Sequence, residues 1–124
     1  MKTIDVAYIK TLHDDLYEIN NQKIIIEFFA RKNGMKINKY YIDKGIFGYK
    51  HSQLKKMLFD VRNTKNIRRL IIKDISVLGR KYSCISRVID YLNRENIEIV
   101  VINSRDIIEF YNMYKVIVSS SSNN

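Results

Sequence analysis

Four short apolar segments, separated by amphipathic segments of helical length, constrain the fold of this 124-residue chain most strongly. The apolar segments are residues 3–9, 35–42, 70–72 and 97–102, and the third is a continuous Leu-Ile-Ile run typical of a strand buried on both faces. The order β-α-β-α-β-α-β with short connections predicts one α/β domain. We expect three layers, a mainly parallel sheet of four or five strands with helices on both faces.

The first amphipathic segment, residues 16–32, carries a polar residue on its apolar stripe. Gln22 lies three residues after Ile19 and four before Ile26. A buried amide there needs a hydrogen-bonding partner or faces a functional site, whereas a glutamine at the edge of the stripe would reach solvent. Asp14 or Asp15 could cap this helix at its start.

The polar turn after the Leu-Ile-Ile run contains a glycine followed by an arginine. Gly79 is predicted to adopt the positive φ of a tight turn, as Gly34 is predicted to do where the first helix ends. Ligand sites of open α/β sheets lie outside the carboxyl ends of the strands, so Arg80 could bind an anion there. The alternative is a surface turn with a solvated arginine.

The charge and cysteine content narrow the class of protein. A net charge of +9 favours a phosphate-rich partner such as DNA, although a composition rich in Lys, Ile, Asn and Tyr is also what an AT-rich genome would produce. The single cysteine, Cys84, rules out a disulfide framework and a cysteine-based zinc site, and we expect no cofactor. No membrane span or signal peptide is visible, which predicts a cytoplasmic protein.

Two motifs resemble those of serine recombinases of the resolvase/invertase family. Residues 75–80, Ile-Ser-Val-Leu-Gly-Arg, resemble the family's Leu-Ser/Asp-Arg-Leu/Phe-Gly/Ser-Arg motif, with Val77 in place of its first arginine. Residues 8–12, Tyr-Ile-Lys-Thr-Leu, resemble its Tyr-x-Arg-Val-Ser strand end. There Lys10 replaces the arginine, and Leu12 stands at the position of the nucleophilic serine.

Further matches follow in the family's order, so that the resemblance spans residues 4 to 104. Gln22 matches a glutamine of the family's first helix, and residues 43–48 resemble its Asp-x-Gly-x-Ser-Gly loop. His51 lies near the position where family members have the arginine that follows this loop. The resemblance implies a resolvase catalytic-domain fold in which Lys10 and Arg80 contact DNA phosphate. The implied pocket consists of Tyr8, Lys10, Leu12, Gln22, Asp43, His51, Ser76, Val77 and Arg80.

The departures bear on the activity that the resemblance implies, which is site-specific DNA recombination. In the family, the serine attacks a DNA phosphodiester, and arginines stabilise the charge of the transition state. Leu12 has no nucleophilic atom, and each missing charge-stabilising group costs ~3 kcal/mol in barrier by analogy with oxyanion-hole deletions. We therefore expect a protein that has the recombinase fold but does not cleave DNA, because its set of catalytic residues is incomplete.

A metal-dependent phosphate-ester enzyme is the alternative function. His13 and Asp14 follow the first predicted strand, and Asp43 and His51 follow the second, so the four could converge at one edge of the sheet. Two histidines with carboxylates can hold a divalent metal ion that activates water.

The remaining expectations concern domains and partners. Residues 1–104 are predicted to form the resolvase-like domain, residues 105–118 a C-terminal segment with helical potential, and residues 119–124 a disordered tail. The family's long helix and DNA-binding domain need more than the roughly twenty residues after the last predicted strand. We therefore expect weak, non-specific DNA binding. A full-length recombinase, or a second copy of this chain in a weak dimer, is a further expected partner. No association with a membrane is expected.

Overall fold

The structure of this chain, a computed structural model, describes residues 2–13, 15–45 and 52–102. Within them, strands and helices alternate as the sequence predicts. The strands are β1 (Ile4–Lys10), β2 (Ile37–Asp43), β3 (Ile67–Ile72) and β4 (Glu98–Val101). The helices are α1 (Leu16–Lys32), α2 (Ser52–Thr64) and α3 (Tyr82–Arg94), with a short 3-10 helix at Ile75–Leu78 between β3 and α3.

The four strands form one parallel sheet in the order β2-β1-β3-β4. In the middle of the sheet, Tyr8 of β1 pairs with Tyr41 of β2 on one side and Ile72 of β3 on the other. All four carboxyl ends therefore point to the same edge, called here the carboxyl edge, and the opposite edge is the amino edge. The predicted α/β fold class is confirmed.

Helices cover both faces of this sheet. Successive side chains of a strand point to opposite faces, and β1 carries apolar side chains on both, so each face needs a covering layer. Val6 and Tyr8 of β1 face one layer, while Ala7 and Ile9 face the other, and all four are fully buried. The first layer is formed by α2 and α3, and the second by α1. Their buried contacts are Leu54, Met57, Val61 and Leu92 in the first layer, and Ile26, Phe29 and Ala30 in the second.

Both ends of α1 follow from local sequence. Asp15 caps its start, where the carboxylate Oδ1 accepts a hydrogen bond of 2.9 Å from the amide of Tyr17. At the other end, Gly34 has a φ of 69°, and Met35 donates its amide to the carbonyl of Ala30 at 2.7 Å. The predicted glycine stop is confirmed, as is one of the two capping candidates; the other, Asp14, lies outside the described residues.

Gly79 has a different role from the one that the sequence predicts. Its φ is 172°, an extended conformation open to any residue, so the prediction of a positive φ is wrong. A Cβ at this position would lie 2.9 Å from the Cβ of Cys84 and 3.3 Å from the backbone nitrogen of Ile85. The glycine is therefore required because the turn after β3 packs directly against the first turn of α3.

Some predictions lie outside the described part of the chain. Residues 103–124 include the C-terminal segment 105–118 and the tail 119–124, so the predicted domain division stays a prediction. Within the described residues, none of the helices is long and apolar enough to cross a membrane.

The two glycines predict opposite responses to substitution. At Gly34 the left-handed backbone is the constraint, so Ala should cost up to about 1 kcal/mol and Asn less, because Asn tolerates this conformation. At Gly79 the available space is the constraint, so Ala should cost ~1–3 kcal/mol and the larger Asn more. Urea unfolding of the four variants measures this, and Asn no worse than Ala at Gly79 would contradict the packing argument.

Candidate functional site

A buried hydrogen bond between Tyr8 and Asp43 lies at the centre of the carboxyl edge. The Tyr8 hydroxyl donates to Asp43 Oδ2 at 2.7 Å, and the two side chains are 0% and 4% exposed. Burial, together with the hydrogen bond to Asp43 and its negative charge, raises the pKa of Tyr8 far above the usual value. The phenol therefore stays neutral and acts as a hydrogen-bond donor rather than as a base.

Asp43 also caps helix α2. Its Oδ1 accepts from the amide of Gln53 at 2.9 Å and the Ser52 hydroxyl at 3.3 Å, and its Oδ2 accepts from the amide of Leu54 at 3.1 Å. The first turn of α2 has no acidic residue of its own, so the end of β2 supplies the carboxylate that a helix start favours. The sequence does not predict this capping role for Asp43, although the absence of an acidic residue from the first turn of α2 was a signal for it.

Gln22 reaches the same edge from α1. It is 7% exposed, and its amide Nε2 donates to the backbone carbonyl of Lys10 at 3.2 Å. Its Oε1 is buried and accepts no hydrogen bond from any residue in the described part of the chain. Of the two alternatives for this residue, the structure supports a buried amide that binds the carboxyl end of β1.

The segment after β1 contains position 12, where the family resemblance implies the nucleophilic serine. Thr11 is buried and donates its hydroxyl to the carbonyl of His13 at 2.8 Å, so this hydroxyl already has an acceptor. Leu12, one residue further on, is 72% exposed. A side chain at position 12 therefore extends into solvent, while its neighbour at position 11 anchors the backbone.

The turn after β3 supplies three more residues of the predicted pocket. The amide of Ser76 donates to Oδ1 of Asp74 at 2.9 Å, which forms the start of the 3-10 helix. Val77 is half-buried and packs against the core formed with α2 and α3. Arg80 is exposed and makes no ion pair with another described residue.

The structure thus joins part of the predicted pocket by direct contacts. Tyr8 and Asp43 form one hydrogen-bonded pair and Gln22 and Lys10 another, and their strands β1 and β2 are neighbours. Residues 76–80 follow β3, the other neighbour of β1. His51 lies outside the described residues, so the complete pocket stays a prediction.

The metal-site alternative depends partly on residues that are not described. Asp14 and His51 lie outside the described ranges, and His13 is exposed. Among residues 2–13, 15–45 and 52–102, no group of three or more His, Cys, Asp or Glu side chains could hold a metal ion. Both oxygens of Asp43 are already occupied by hydrogen-bond donors.

Large apolar side chains are exposed at the carboxyl edge. Five follow the ends of β1 and β3 or begin the helices there, which are Leu12, Leu16, Tyr17, Ile75 and Tyr82. Each is between 40% and 80% exposed. This edge therefore combines a few basic residues with three aliphatic side chains that cannot hydrogen-bond to phosphate (Leu12, Leu16 and Ile75) and two tyrosines whose hydroxyls can.

The fold agrees with a known family. The family model for the resolvase N-terminal domain matches residues 10–119. The match covers most of the chain, and the chain belongs to this family. Among curated proteins, no match to the chain is found.

Solved structures of serine recombinase catalytic domains share this fold. The N-terminal catalytic domain of TP901-1 integrase superposes with a TM-score of 0.66 at 16% identity, over 90% of this chain and 95% of that one. A resolvase family site-specific recombinase from Streptococcus pneumoniae gives 0.65 at 15% identity, over 91% and 86%. The C-terminal catalytic domain of ISC1926 TnpA, an IS607-like serine recombinase, gives 0.64 at 12% identity, over 89% and 80%.

Removing the Tyr8 hydroxyl should destabilise the fold more than removing that of Tyr41. Tyr8→Phe takes one donor from a buried carboxylate, at a cost of about 1–3 kcal/mol. Tyr41 donates to Asp60 at 2.6 Å, but this carboxylate is less buried and also pairs with Lys39 and Lys56 at 3.6 Å each. Chemical unfolding of Tyr8→Phe beside the matched control Tyr41→Phe measures the difference, and equal losses would argue against a central role of the Tyr8–Asp43 bond.

Proposed function

We propose that this chain is a serine recombinase-type domain that acts with DNA but does not cleave it. The observation that carries the proposal is Leu12, which is 72% exposed after β1, where the family resemblance places the serine nucleophile. A leucine has no atom that can attack a phosphodiester. The protein would serve in DNA recombination as a non-cleaving partner of DNA or of an active recombinase.

The charged groups at this edge support the same proposal. Lys10 keeps a positive charge, but an ammonium cannot form the two-pronged contact that a guanidinium makes with phosphate. Val77 has no charge and packs against the core. Arg80 stays exposed and could still contact a phosphate, so DNA binding can persist without the groups that stabilise a cleavage transition state.

The residues that match the family pattern have structural reasons to be present. Tyr8 and Asp43 hold β1, β2 and α2 together, and Gln22 binds the end of β1. These contacts stabilise the fold whether or not chemistry takes place. The matching residues are therefore compatible with a domain that has the recombinase fold and not its cleavage activity.

The first test seeks a covalent DNA–protein adduct. With supercoiled or suicide substrates, we expect none from the natural chain and none from Leu12→Ser, because Val77 still stands where the family has an arginine. Position 12 is exposed, so the substitution should change stability by no more than about 0.5 kcal/mol. Denaturing gels of reactions run beside an active recombinase detect the adduct.

Melting temperatures provide the control for folding in this test. If Leu12→Ser folds normally and still forms no adduct, the missing serine alone does not account for the lack of cleavage. A trapped phosphoserine adduct from Leu12→Ser would overturn that view. An adduct from the natural chain would overturn the proposal itself.

We also propose that the chain is a monomer or a weak dimer at micromolar concentration. The exposed helix residues Lys55, Lys56, Arg62, Arg87 and Arg94 carry like charges, which oppose association through these surfaces. Residues 107–118, outside the described ranges, include the aromatic run Phe-Tyr-Asn-Met-Tyr and are the expected dimer contact. Sedimentation of the intact chain and of one ending at residue 104 tests this, and a tight dimer that survives the truncation would contradict it.

A further inference from the structure

A cavity of about 590 Å³ opens at the amino edge of the sheet, opposite the Tyr8–Asp43 site. Its walls come from four segments of the chain, which are the start of β1, the end of α2, the start of β3 and the turn after α3. Its polar lining consists of Thr3, Lys65, Arg68, Arg94, Glu95 and Asn96. This volume lies within the roughly 300–1,000 Å³ typical of sites for small ligands or for parts of larger ones.

The lining has more positive than negative charge. Lys65, Arg68 and Arg94 face a single carboxylate, Glu95. That carboxylate is also shared, because Arg62 binds its Oε2 at 3.2 Å and Lys65 approaches its Oε1 at 3.7 Å. Arg94 makes no ion pair with any described residue. A cation near the carboxyl end of a helix interacts favourably with the helix dipole, which applies to Arg94 at the end of α3 and to Lys65 directly after α2, but not to Arg68, which lies in β3.

A buried carboxylate fixes Arg68 in the wall. Asp5 is 3% exposed and binds two guanidiniums, that of Arg69 at 2.9 and 3.1 Å and that of Arg68 at 3.3 Å through two nitrogens. Burial acts to raise the pKa of Asp5, but the hydrogen bonds and charges of the arginines outweigh it, and the pKa is lowered. One negative charge thus orients two arginines, and the Arg68 side chain remains 52% exposed.

Lys65 occupies an unfavourable backbone position in the same wall. Its φ is 59°, in the left-handed region where Gly and Asn are the favoured residues. Asn96, on the neighbouring turn, has a φ of 62° and fits this expectation. A lysine in such a conformation indicates that its charged side chain has a role at this position, since Gly or Asn would form the same turn with less backbone strain.

We propose that this amino-edge cavity binds backbone phosphates of duplex DNA. The inference takes DNA as the ligand from the proposed function, but it assigns the contact to the edge opposite the family-like pocket. Of the three cations that line the cavity, Lys65 pairs with Glu95 and Arg68 pairs with Asp5, while Arg94 is unpaired among the described residues, so positive charge remains for an anion. The Thr3 hydroxyl and the Asn96 amide add neutral hydrogen-bond donors.

The test measures the salt dependence of binding to a short duplex of mixed sequence. Each neutralised phosphate contributes about 0.9 to the slope of log K against log salt. Arg94→Ala should therefore weaken binding and reduce the magnitude of the slope by about one. The matched control is Arg87→Ala, on the same face of α3 but seven residues, or about 10 Å, away from the amino edge, and it should leave the slope unchanged.

Lys65→Asn separates binding from stability. Asparagine suits the left-handed turn, so the melting temperature should stay the same or rise while DNA binding weakens. If Arg87→Ala weakens binding as much as the two cavity variants, the positive charge acts as a diffuse field and the cavity assignment is wrong, while the proposed function stands. If the natural chain shows no salt-dependent binding to the duplex, the cavity assignment fails together with the part of the proposed function that makes the chain a partner of DNA.

Amide resonances of Thr3 and Asn96 distinguish the source of the phosphate. Duplex DNA at low salt should shift both, and Arg94→Ala should reduce the shifts. If inorganic phosphate shifts these resonances and duplex DNA does not, the cavity binds a free phosphate and the assignment to DNA is overturned.

Discussion

The buried carboxylate of Asp43 is the constraint on which the carboxyl edge depends. A charge that is 4% exposed is costly unless hydrogen bonds compensate it, and here four donors do so. One comes from Tyr8 in the central layer of the fold, and three come from the first residues of α2. The carboxylate therefore links the end of β2 to the start of α2 and to Tyr8 in the middle of the sheet. The relative positions of these three elements are thus a consequence of satisfying one buried charge.

The sequence predicts features that depend on local spacing. Periodic apolar residues located the strands and helices, Asp15 and Gly34 marked the ends of α1, and the position of Gln22 on the apolar stripe indicated a buried amide. Gly79 shows where such reasoning fails. A glycine in a turn can serve a positive φ or a close contact, and which one applies here depends on Cys84 and Ile85, whose approach is set by how α3 packs.

Contacts between distant segments could not be predicted from the sequence for the same reason, because they depend on how the elements pack. Asp5 lies within an apolar strand pattern, and its partners Arg68 and Arg69 follow more than sixty residues later. Only the pairing of β1 with β3 brings them together. The capping of α2 by Asp43 is likewise set by the end of β2 and not by the residues of the helix itself. Both edges of the sheet are thus built on a buried aspartate whose partners the folded topology selects.

The buried and the exposed residues of the predicted pocket differ in how much their replacement would destabilise the fold. Replacing Tyr8, Gln22 or Asp43 would leave buried polar groups without partners, so stability alone is sufficient reason to keep them. Position 12 projects into solvent, and an exposed substitution there has almost no effect on stability. A domain of this kind can therefore lose its nucleophile without losing its fold. The tyrosine, glutamine and aspartate are explained by the fold, whereas activity must be judged from the exposed position 12 and from positions 10, 77 and 80, which hold a lysine, a valine and an arginine.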